Sequence, residues 1–261
     1  NFESPEYVAE PFNAVSAAPL IGLGVLGARR CVRATRSTAF AGVFALLTAV
    51  GLGTVALHAT LTAPGQACDE VPMLLLTVAL LACIVDARNP GTGGRLVIPT
   101  VLAAAAVVVW YFKFQDVYLI FIASYGAMVV AIVGILGHLA LVPRADTRRE
   151  LARKRVIQPL FLCGIAAYGG AGFVAWVTDM LLCDTVSAVL FGGLFLHPVW
   201  HCGAALGTWF AVFVVIAARD EHSDHPPTRL AYVAGVLPCV DHGALRVVDD
   251  DLGSATTKKA A

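Results

Sequence analysis

LFLHPVWHCGAALGTWFAVFVVIAA, residues 194–218, contains no Asp, Glu, Lys or Arg, and the uncharged run around it reaches back to Thr185. A helix needs about 20 apolar residues to cross the hydrocarbon of a bilayer, so this segment reads as a membrane span. Outward from it the pattern recurs. The chain has 261 residues, 58% hydrophobic and only 14% charged, with mean hydropathy +0.78. A soluble domain carries about a quarter charged residues. Hydropathy marks seven spans, roughly Val8–Ala28, Ser37–Leu61, Val71–Val85, Leu96–Phe112, Val117–Val142, Val156–Met180 and Leu194–Ala218. The expectation is an all-α polytopic membrane protein: a bundle of seven transmembrane helices making one domain over residues 1–218. The third span is short, and Asp69 and Glu70 flank it directly.

Basic residues fall in alternate connections. The first loop holds Arg29, Arg30, Arg33 and Arg36, and the third holds Arg88 and Arg95. The fifth holds Arg144, Arg148, Arg149, Arg153, Lys154 and Arg155. The second and sixth loops hold none, and the fourth only Lys113. The positive-inside rule then places the N-terminus outside (or lumenal) and the C-terminus in the cytoplasm. Residues 219–261 are expected to be a cytoplasmic polar tail, partly disordered, with His222 and His225 in solvent and not on a metal.

Net charge is zero, which leaves no basic signal for nucleic acid. The chain opens on Asn1 with an apolar segment close behind, so a trimmed N-terminus and no signal peptide are expected. Seven cysteines form no CxxC pair, and Cys83, Cys163 and Cys202 lie in apolar segments as small hydrophobes. Arg outnumbers Lys, 14 to 4, which suits a GC-rich genome and a bacterial inner membrane; an ER or Golgi membrane is the other option.

Topology gathers the polar residues that such spans should not contain. His58 lies near the outer end of the second span, with Thr54 four residues earlier on the same face. The second loop delivers Asp69 to the start of the third span, and His197 and His201 open the seventh. Ionisable groups at this depth face the bundle interior and mark function. Three imidazoles with an open fourth position are the arrangement of catalytic zinc, which makes bound water acidic enough to ionise near neutral pH. Asp69 would then be the general acid and base, and Thr54 a donor to the oxyanion. Each residue also has a plainer reading. A histidine in a membrane helix can bond a neighbouring helix, Asp69 can cap the third span, and Pro198 places His197 at the cap of the seventh. His138, at the wrong depth, reads as structural. Glu10 can be an interface carboxylate, Asn13 a packing hydrogen-bond residue, and Trp176 with Asp179 an anchor for the end of the sixth helix.

The order of motifs resembles the alkaline ceramidase family. The N-terminal NFESPEYVAEPFNAVS, then GLGTVALHATL, CDEVPML, WVTDMLLCD and HPVWHCGAALGTW each look like a motif of that family, in the family's order. The resemblance implies an intramembrane zinc amidohydrolase that cleaves ceramide into a sphingoid base and a fatty acid. It implies zinc on His58, His197 and His201, with Asp69 as acid/base and Thr54 in the oxyanion role, where the family usually has Ser. It further implies a calcium site that includes Asn1 and Glu10, the family's other ligand positions falling before Asn1. Cys183 matches a half-cystine whose partner also falls there, and Cys68 is the other cysteine on an outer loop. The substrate would be a ceramide-type lipid entering sideways from the bilayer. The alternative is a zinc-containing receptor of the adiponectin or progestin type, which usually has the opposite orientation. A retinal protein would need a Lys in the seventh span, which has none; a bis-histidine haem carrier is a further option.

Overall fold

Each apolar run is a helix in the structure, a computed structural model that describes residues 8–34, 38–89, 92–145, 147–189, 196–220, 229–233 and 237–241. Seven helices are long and apolar enough to cross a membrane: α1 (Pro11–Cys31), α2 (Thr38–Thr60), α3 (Ala63–Arg88), α4 (Gly94–Phe114), α5 (Tyr118–Leu141), α6 (Arg149–Leu182) and α7 (Leu196–Arg219). The protein is a multi-pass membrane protein. Val97, Ile98, Val101, Leu102 and Val109 of α4 are all exposed, as expected of a face turned to lipid.

α7 runs through the middle. Its second half, from Val212 to Ala218, is buried on every side, which is why that stretch carries no polar stripe. Trp209 and Phe213 pack with Phe44 of α2, ring centroids 5.6 and 6.0 Å from Phe44 and 4.9 Å from each other.

Two close approaches of small residues set the end of the bundle where α2 turns into α3. At Gly53 a Cβ would overlap the Cys68 carbonyl of α3. Pro72 has no N–H to offer that carbonyl, its i−4 neighbour, and the freed oxygen lies against the glycine. On the other side, a Cβ at Gly203 of α7 would sit 2.6 Å from Gly172 Cα of α6. Small residues let membrane helices touch backbone to backbone. Gly53→Ala is therefore expected to push α2 from α3, at about 1–3 kcal/mol by the usual cost of overpacking. Thermal unfolding in detergent measures it, and an unchanged midpoint would mean that the contact is slack.

The starts of α3 and α6 lie several residues before the expected ones. α3 begins eight residues before Val71, because Thr62 caps it: its Oγ1 accepts from the Gly65 N–H at 3.2 Å. Asp69 is thus in the second turn and caps nothing. His197 stands within α7, described from Leu196, with Pro198 next to it. α6 extends back to Arg149 and contains two π-helical stretches, Arg153–Ile157 and Ala166–Phe173. Past α7, Arg229–Val233 (β1) and Leu237–Asp241 (β2) pair as an antiparallel hairpin, which the sequence reading did not contain. His222, His225 and Asn1 lie outside the described residues, as does the Cys183 side chain; Cys68 is an exposed free thiol.

Candidate metal centre

The end of α2, the start of α3 and the start of α7 meet at one end of the bundle, where His58, His197 and His201 come together. One ring nitrogen of each lies within 4.8 Å of the others, and the ring centroids are 4.8 to 5.2 Å apart. Among the described residues this is the one cluster of metal-ligating side chains. The spacing that put His197 and His201 on one face of a helix therefore also brought them to His58, on a helix far away in sequence. His138 stands towards the opposite end of α5 and takes no part.

Three imidazoles packed together in an apolar bundle invite repulsion if protonated. Each ring turns its Nδ1 to an oxygen: His58 to Glu10 Oε2 at 2.6 Å, His201 to Ser16 Oγ at 2.7 Å, and His197 to Asp179 Oδ2 at 3.4 Å. Hydrogen-bonded Nδ1 atoms leave Nε2 as the free donor, the usual state of a metal-ligating histidine. The donor set therefore fits a metal that takes three nitrogens.

The segment before and into α1 supplies two of those oxygens. The N–H groups of Ala9 and Glu10 donate to the Ala59 and His58 carbonyls at 3.2 and 2.9 Å, occupying acceptors that the end of α2 leaves without partners. Asn13 Nδ2 donates to Glu10 Oε2 at 3.0 Å. The Glu10 carboxyl is held down to about 2, first by its hydrogen bond with His58, and so is ionised at neutral pH.

Asp69 and Thr54 form the second half of the site. The Thr54 hydroxyl, 1% exposed, lies 2.6 Å from Asp69 Oδ1 and 2.9 Å from the Val50 carbonyl of its own helix. Gly53 makes the first contact possible, since it brings α2 against the turn that carries Asp69. Beside Asp69, Glu70 is buried and accepts from Gln66 Nε2 at 3.0 Å.

Thr54, His58, Asp69, His197 and His201 line one cavity of about 430 Å³, within the range of small-molecule pockets, whereas Glu10 stands behind His58 and not in its wall. Beyond the polar end its walls are apolar and aromatic: Leu47, Met73, Leu76, Phe121, Ile122 and Val129 among others. Tyr125 and Tyr168 meet in it, hydroxyls 3.0 Å apart. Trp176 also lines it, with its ring centroid 6.0 Å from that of Trp200, so it is more than an anchor for the helix end. Ser16 and the role of Asp179 escaped the sequence reading. Asp179 carried one signal, a carboxylate inside an apolar span; Ser16 carried none.

A family model described as Ceramidase matches residues 1–241. The chain is similar to "Putative alkaline ceramidase dcd3B" of Dictyostelium discoideum, 28% identical over 187 residues, which cover 67% of this chain and 63% of that protein's length. It is similar to "Alkaline ceramidase" of Arabidopsis thaliana, 25% identical over 249 residues, covering 92% of this chain and 89% of that one. It is also similar to "Alkaline ceramidase 3" of Mus musculus, 24% identical over 250 residues, covering 92% and 88%.

Proposed function

The chain belongs to the ceramidase family, and from that premise we propose that it is a zinc-dependent intramembrane hydrolase cleaving the amide of a ceramide-type lipid into a sphingoid base and a free fatty acid. The observation that carries the reading is the juxtaposition of three imidazoles and a carboxylate at the polar end of an apolar cavity. The family match favours it over a zinc-containing receptor.

His58, His197 and His201 would hold zinc through Nε2. When bound, zinc supplies a Lewis acid for the amide carbonyl and lowers the pKa of a water molecule. Asp69 accepts the proton of the attacking water and passes it to the amide nitrogen, so that the C–N bond breaks with a neutral amine leaving. The Thr54 hydroxyl has one hydrogen and two acceptors. While Asp69 is ionised, that hydrogen is held by the carboxylate. Once Asp69 has taken a proton, the hydrogen is released and can turn to the oxyanion of the tetrahedral intermediate. The apolar walls take the acyl and sphingoid chains, which reach them sideways from the bilayer. Glu10 would add a calcium ligand, together with Asn1. The basic loops put the site end of the bundle outside and residues 219–261 in the cytoplasm, leaving residues 1–218 as the hydrolase domain.

Purified protein given ceramide should release fatty acid and sphingoid base in equal amounts; hydrolysis of glycerolipid esters with no action on ceramide would overturn the substrate assignment. Thr54 has a sharper test. Thr54→Val removes the hydroxyl at nearly constant volume, and one lost donor of this kind costs roughly 10²–10³ in turnover. Thr54→Ser keeps the hydroxyl and should stay within a few-fold of wild type. If Thr54 only bonds Val50, as threonines inside helices do, the Val variant will turn over normally with its metal in place.

A further inference from the structure

We propose that Ser16 is a positioning residue for the metal centre, fixing the tautomer in which His201 can bind a metal. The inference rests on the metal reading above and adds a residue on α1 to it.

Ser16 Oγ lies 2.8 Å from the Asn13 carbonyl oxygen and 2.7 Å from His201 Nδ1. A carbonyl oxygen can only accept, so the single hydroxyl hydrogen points to Asn13. The oxygen then has only lone pairs to offer His201, and Nδ1 must carry the hydrogen of that bond. Neutral His201 therefore has its lone pair on Nε2, the nitrogen left for a metal. The reverse arrangement, with Ser16 donating to Nδ1, would leave the Asn13 carbonyl without this donor and put a hydrogen on Nε2, which blocks coordination.

The local fold makes this geometry. α1 is broken in its first turns: helix from Pro11 to Val15, then two residues of turn before it resumes at Ala18. Ser16 sits in that turn with φ −68° and ψ −6°, and its N–H donates to the Phe12 carbonyl at 2.9 Å. The segment that leads into α1 is tied to α2 by the Ala9 and Glu10 amides. Ser16 thus reaches α7 from a segment tied to α2, and the bond to His201 links the helices that carry the ligands.

The test compares wild type, Ser16→Ala and Ser16→Thr, purified in detergent, for affinity towards zinc by competition with a chelator and for the visible absorption of the cobalt-substituted protein. Ser16→Ala should bind zinc roughly 10–100-fold more weakly, the usual effect of removing a partner behind a ligand, with an altered cobalt spectrum. Ser16→Thr, which keeps the oxygen, should restore both. Ser16→Ala binding zinc as tightly as wild type with the same cobalt spectrum would overturn the role of Ser16 while leaving the metal centre standing. Wild-type protein that binds neither metal at these histidines would overturn the metal reading itself, and this inference with it.

Discussion

His58→Ala is expected to leave the purified protein without zinc and without ceramide hydrolysis. Two imidazoles remain in that variant, both on the first turns of α7, and the cavity gains a methyl group where the third nitrogen was. Among the described residues the cluster contains no fourth His, Cys, Asp or Glu. Glu10 loses the partner that holds it against the site. The effect should exceed the roughly 10–100-fold typical of residues that merely stand behind a ligand. The fold survives, because α2 is fixed lower down by Phe44 and Leu47 in the core with Trp209 and Phe213. Elemental analysis of the folded variant checks this. Full zinc retention would mean that α2 donates no ligand and that the convergence of helices has another purpose.

Asp69→Asn separates proton transfer from metal binding. The amide oxygen of Asn can still accept from Thr54, and the volume is unchanged, so the cavity keeps its shape. What is lost is a group able to take and return a proton, typically worth about 10²–10⁴-fold in rate. Zinc content should stay at the wild-type level, and ceramide should still bind. A turnover within a few-fold of wild type would remove Asp69 from proton transfer. Loss of zinc would make it a ligand.

The fold was legible because membrane spans are written in composition. Uncharged runs gave the number and order of the helices, and the placement of Thr54, His58, Asp69, His197 and His201 at one end followed from counting crossings. Termini of helices were less legible. The start of α3 was missed because Ala63–Glu70 is polar enough to read as loop, whereas Thr62 caps it and Pro72 sits within the helix without ending it. The π-helical stretches of α6 and the hairpin after α7 have no hydropathy signature. The groups behind the ligands were the least legible. The sequence offers Glu10 as a calcium ligand or an interface carboxylate and Asp179 as an anchor, and it marks Ser16 not at all, since a hydroxyl in an apolar helix looks the same whether it bonds its own backbone or a histidine on another helix. The Ser16–His201 contact joins residues 185 positions apart, a separation that no local pattern spans.

The central claim is that the three histidines hold the zinc that hydrolysis needs, and one titration tests it most directly. Metal-free protein is prepared with a chelator, zinc is returned in steps, and bound zinc and fatty acid release from ceramide are measured on the same samples. The account predicts that activity rises in proportion to bound zinc and stops rising at about one zinc per chain, the stoichiometry of a three-ligand catalytic site. Undiminished hydrolysis by the metal-free protein would contradict it.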